Sequence, residues 1–176
     1  FIDKAIEGAV LGFFNQGEVC TCPSRVLVQE SIYPQFVEKV IDRMETIRKG
    51  DPFDTDTMIG AQASREQYDK ILSYIDIARE EGGEIITGGA HIDHGDTLQN
   101  GFYIQPTLIK GHNGMRCFQE EIFGPVLGIT TFKDEEEALR IANDTEYGLG
   151  AGLWTLDINR AWRMGRAIKA GRVWTN

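Results

Sequence analysis

What most constrains this chain is the regular exchange of one hydrophobic period for another. Apolar residues recur every three or four positions from Ile2 to Phe14. They do so again in "YPQFVEKVIDRMETIRKG", where Phe36, Val37, Val40, Ile41, Met44 and Ile47 form one stripe and Gly50 supplies a stop. "SREQYDKILSYIDIAREEGG" offers Ser64 as N-cap, Gln67 three residues later as the capping-box partner, and Gly82-Gly83 as the end. "KDEEEALRIANDTEYG" and "DINRAWRMGRAIKAG" each begin with an Asp that can cap a helix and finish at Gly. Between these lie short runs rich in β-branched or aromatic residues: 25–29, 84–89, 103–109, 126–132, 150–155 and 172–176. Strands that alternate with helices require crossover connections. The expected fold is therefore α/β, an open, mostly parallel sheet flanked by helices.

Composition sets the remaining bounds. A chain of 176 residues, 41% hydrophobic and 26% charged, suits one ordinary soluble core or part of a larger enzyme. The longest apolar run, "AVLGFF" from Ala9 to Phe14, is far too short to span a bilayer. A net charge of −9, without a cluster of Lys and Arg among aromatics, argues against a nucleic-acid partner. Three cysteines are an odd number, and the first residues are acidic where a secretory leader would be basic. Free thiols in the cytoplasm are the expectation. The chain starts at Phe1 inside a helical pattern and stops at Asn176 on a strand-like run, so a segment of a longer polypeptide is expected.

Two stretches carry candidate chemistry. "FFNQGEVCTCPSR", Phe13 to Arg25, places Cys20 and Cys22 in the connection between a helix and a strand. Zinc would need four ligands, and no second cysteine pair exists. A disulfide across so short a loop would be strained. By residue type alone, Cys20 is either a small buried side chain or a thiol placed to attack an electrophile. "EEIFGPV", Glu120 to Val126, sets two acids and an aromatic before a Gly-Pro turn and a strand. "HIDHGD" gathers His91, Asp93, His94 and Asp96 in a Gly- and Asp-rich surface loop, where solvation rather than a metal site is expected.

"FNQGEVCTCPSR" resembles the active-site signature of the aldehyde dehydrogenase superfamily, F-x-N-x-G-(Q/E)-x-C. "EEIFGPV" resembles that family's second hallmark. "IGAQASREQYDKILSYIDIAREEGGEIITGG", "NDTEYGLGAGLWTLD" and "AGRVWTN" are similar to the surrounding segments, in the same order. The resemblance implies that Cys20 is the nucleophile and that Glu121 accepts hydrogen bonds from the nicotinamide ribose. It also implies that Phe123 packs beside the nicotinamide, with Gln67 and Lys70 candidates for the ribose on the adenosine side. The implied cofactor is NAD or NADP, the substrate a small aldehyde, and the assembly a homo-oligomer, dimer or tetramer, without membrane or nucleic acid.

Residues 1–176 would then be the catalytic-domain portion of such an enzyme. The cofactor-binding domain, general base and oxyanion-hole amide would precede Phe1, and an oligomerisation arm would follow Asn176. The chain alone is expected to be inactive. The alternatives are a CoA-acylating relative and a non-catalytic interaction fragment of the same fold. Glu18 stands where many members carry Gln.

Overall fold

The computed structural model describes residues 1–95 and 98–176. Helix α1 (Ile2–Val10) and helix α2 (Tyr33–Glu45) form where the apolar stripes run. They bury Ile6, Ala9 and Val10 against Phe36, Val40 and Met44. Two ion pairs also link them, Lys39 to Asp3 at 2.8 Å and Arg43 to Glu7 at 2.7 Å. These pairs are solvent-exposed and screened by water, so they add little. Each buried Val, Met or Phe contributes about 1.5–3 kcal/mol, so apolar packing holds the helix pair.

Helix α2 stops at Glu45, short of Gly50. Thr46 terminates it, since its backbone N–H and its hydroxyl both donate to the Arg43 carbonyl. The chain is then drawn into a bridge between Lys49 and Ile59.

Strands β1 (Arg25–Gln29), β2 (Glu84–Thr87), β3 (Thr107–Lys110) and β4 (Val126–Phe132) form one sheet in the order β1-β4-β3-β2. β1, β4 and β3 run parallel, and β2 joins the edge antiparallel. Both faces of the parallel part are buried, as crossover helices require. Leu108, Leu127 and Ile129 face the core built on α1 and α2. Ile109 and Val126 face a second core with Ile71, Ile75 and Ala78 of helix α3 (Arg65–Glu80), and Cys117 and Phe118 of the short helix α4 (Arg116–Gln119).

The third predicted strand is shorter than expected. Pro106 has no N–H to give a ladder, and the residues before it pair elsewhere: Gln105 N–H donates to Ala90 O and Ile92 N–H to Tyr103 O. Helix α5 (Glu135–Asn143) and helix α6 (Ile158–Ala167) have the expected Asp caps, Asp134 and Asp157. The last two strands, β5 (Gly150–Leu153) and β6 (Arg172–Thr175), are parallel but make a separate two-stranded sheet.

Candidate active site

The two motifs meet in space. After α1 the chain tightens into a 3-10 turn that buries Phe13 completely, then breaks out of helical geometry at Phe14. Asn15, Gln16 and Gly17 follow with φ of 51°, 58° and 70°. Two successive non-glycine residues in the left-handed region cost roughly 1–2 kcal/mol each, with Asn at the low end. Such a bend persists only when its surroundings over-determine it.

Here the constraints are specific. The Glu18 carboxylate accepts the Ala63 N–H at 3.1 Å, and Gly17 lies directly on the backbone of Gly124 and Pro125. A Cβ at Gly17 would overlap the Gly124 carbonyl.

This bend sets up the turn Val19–Cys22, closed by Cys22 N–H donating to Val19 O at 3.1 Å. Cys20 is its first corner residue and is exposed. Its backbone N–H makes no hydrogen bond among the described residues. The other thiols differ. Burial raises the Cys22 thiol, with the neighbouring Cys20 adding to the rise, and pushes Cys117 up to about 11. A raised pKa lowers the thiolate fraction, so neither is poised as a nucleophile.

On the other side of the contact, the acidic doublet divides its labour. Glu120 is bound by Arg116 at 2.8 Å and accepts the Tyr74 hydroxyl at 2.6 Å. These partners, Arg116 first and Tyr74 second, hold its carboxyl down at about 2. The Glu121 carboxylate is exposed and makes no hydrogen bond or ion pair among the described residues; its backbone N–H donates to the Tyr147 hydroxyl at 3.3 Å. Phe123 adopts φ 58° and is 36% exposed. A bulky residue in that conformation is a genuine outlier and a pointer to function.

Gln67 and Lys70 stand beside this loop on α3. The Gln67 side-chain amide donates to Ile122 O at 2.9 Å and to Phe123 O at 2.6 Å. Only half of the expected capping box therefore forms: Gln67 N–H donates to Ser64 Oγ at 3.1 Å, while the Gln67 side chain turns to the loop. Lys70 Nζ lies 5.9 Å from the centre of the Tyr74 ring. Ile71 packs against Gly124, where any Cβ would strike it. Gln67, Lys70, Glu121 and Phe123 thus cluster around the start of α3 and the 120–125 loop, which abuts the cysteine loop.

Some contributors had no separate place in the sequence reading. Arg116 carried a legible signal, four residues before Glu120 and of opposite charge. Tyr74, Tyr147 and Ile71 carried none, because their partners are distant in the chain.

The described residues of the histidine loop are engaged separately. The His94 ring packs edge-on against Tyr103, His91 against Tyr68, and Asp93 accepts the Gly95 N–H. Asp96 lies outside the described residues. Among the described residues no group of three or more His, Cys, Asp or Glu is arranged to hold a metal, and no helix is long and apolar enough to cross a membrane.

A crossover α/β sheet whose cysteine loop packs through Gly17 on a Glu-Ile-Phe-Gly-Pro loop, with the cysteine itself exposed, defines a class of thiol-bearing α/β proteins. Comparison with known proteins narrows that class. The aldehyde dehydrogenase family profile matches residues 2–176, and this chain belongs to that family. An acetaldehyde dehydrogenase from Pseudomonas aeruginosa is 72% identical over all 176 residues. The crystal structure of HpcC from Thermus thermophilus superposes with a TM-score of 0.96 at 42% identity over 99% of the chain. A betaine aldehyde dehydrogenase from Staphylococcus aureus, solved with NAD+, gives 0.95 at 40% identity over 99% of the chain. This chain spans about 35% of the length of each of these relatives.

Proposed function

We propose that residues 1–176 are the catalytic-domain part of a longer polypeptide that oxidises an aldehyde to a carboxylic acid with NAD or NADP. The observation that carries this reading is the contact between the two loops: Gly17, three residues before the exposed Cys20, packs on Gly124 and Pro125 beside Glu121 and Phe123.

The residues fit a nicotinamide dinucleotide. An unengaged carboxylate at Glu121 suits the two adjacent hydroxyls of a ribose, and the half-exposed ring of Phe123 suits the apolar face of a pyridinium. When bound, that cofactor supplies the hydride acceptor.

The chain's own contribution is the thiol. Cys20 Sγ, as thiolate, attacks the carbonyl carbon and makes a C–S bond, placing charge on the carbonyl oxygen as a thiohemiacetal. The unengaged Cys20 N–H is available to that oxyanion, and a preorganised donor of this kind is worth about 3–4 kcal/mol. After oxidation of the adduct carbon, Sγ holds the acyl group as a thioester. Water cleaves it, giving the acid and restoring the thiol.

The general base and a second oxyanion donor are assigned to parts of the polypeptide outside these residues. So are most of the cofactor contacts and the surfaces that form a dimer or tetramer.

The test uses the full-length polypeptide with a short aldehyde and NAD. NADH formation is expected, and Cys20→Ser is expected to lower kcat by at least about 1,000-fold, since an alcohol at that position is a far weaker nucleophile. Unchanged turnover in Cys20→Ser would refute the mechanism.

A further inference from the structure

We infer that Gln67 is a positioning residue, which aims the Phe123 ring by holding the main chain of the 122–123 segment. The inference rests on the dehydrogenase reading above and gives Gln67 a role other than direct contact with a ribose. A primary amide has two donor hydrogens. Gln67 Nε2 directs both at carbonyls, Ile122 O at 2.9 Å and Phe123 O at 2.6 Å. The amide has left the local Ser64 N–H, which a capping box would offer it, to make two bonds across more than fifty residues of sequence.

What it holds is the one non-glycine residue of this loop in the left-handed region, Phe123 at φ 58°. One helical turn further along α3, Ile71 presses on Gly124, leaving no room for the loop to sink inward. Gly124 and Pro125 in turn press on Gly17 of the cysteine loop. A rigid helix, two hydrogen bonds and two backbone contacts thus connect α3 to the turn that carries Cys20. Among the described residues no other hydrogen bond holds the Ile122 and Phe123 carbonyls, so without the Gln67 donors Phe123 would relax toward negative φ and swing its ring away.

Two substitutions in the full-length polypeptide separate positioning from direct ligand contact. Gln67→Glu keeps the shape and an acceptor for a ribose hydroxyl but cannot donate to the two carbonyls. Gln67→Ala removes everything. Positioning predicts that both lower kcat/KM for NAD by about tenfold or more, with little change in the thermal midpoint. It further predicts that Gln67→Ala adds little in a Phe123→Ala background, because both act through one ring. Near-normal kcat/KM in Gln67→Glu with loss in Gln67→Ala would instead identify a direct contact and overturn the inference, as would additive losses in the double variant.

A second readout does not depend on turnover. Fluorine NMR of 4-fluorophenylalanine placed at position 123 should show a shifted or broadened line in both Gln67 variants, and an unchanged line would overturn the inference. If the unsubstituted protein makes no NADH, the dehydrogenase reading fails, while the fluorine line still tests whether Gln67 sets the Phe123 ring.

Discussion

At the residue scale, three cysteines of one chemical type are separated by their surroundings. Cys20 is exposed at the corner of a turn, Cys22 is half-buried with a raised pKa, and Cys117 is buried with a pKa of about 11. At pH 8 a thiol of that pKa is only about 0.1% thiolate, and burial restricts access further. Limiting iodoacetamide followed by peptide mass spectrometry should therefore modify Cys20 well before Cys22, and Cys117 last. Equal labelling of all three would contradict the environment described here. The same separation operates on the acidic doublet. Nothing in the letters "EE" distinguishes Glu120 from Glu121. Arg116 and Tyr74 occupy the first and leave the second available.

At the element scale, the decisive contact is between two loops rather than between helices or strands. Gly17 combines φ 70° with direct apposition to the Gly124 carbonyl, so Gly17→Ala meets a conformational and a steric obstacle together. It should destabilise by about 2–4 kcal/mol in urea unfolding. Gly82 is the matched control, with φ 86° and nothing within 4 Å of a Cβ. Gly82→Ala should cost only about 1 kcal/mol, since only the conformational term remains. Equal losses at the two positions would mean that the loop contact is not tight. The helix stripes were legible because periodicity is local, and so were the Asp134 and Asp157 caps. The end of α2 was not, because Thr46 and the Lys49–Ile59 bridge stop it before the glycine does.

At the scale of the whole molecule, the four-stranded sheet is covered on both faces, while β5 and β6 form a short parallel pair. Two strands are few for independent stability. This pair is braced by Ala161 and Met164 of α6, by Trp154 against Gly8 and Gly152, and by Asn176, whose side chain exchanges two 2.9 Å bonds with Thr155. Beside it, Leu156, Ile158, Trp162 and Trp174 remain exposed, Leu156 at 81%. With the proposed nucleophile and the proposed cofactor contacts but no assigned base, the 176 residues alone should give no NADH from a short aldehyde and NAD. Robust turnover by this chain would show that the site is complete within it.

The alternation of periods was enough to determine a mostly parallel α/β arrangement, since strands joined through amphipathic helices bury both together, but not the antiparallel edge at β2 or the separate β5–β6 pair. The two motifs were likewise readable as local strings. What tertiary structure alone decided is that the strings touch: Gly17 on Gly124, and Gln67 spent on Phe123 instead of its own helix cap. The reason is physical. Period and capping are set by neighbours within four residues, whereas the aim of a side chain depends on groups that folding brings from fifty or a hundred residues away.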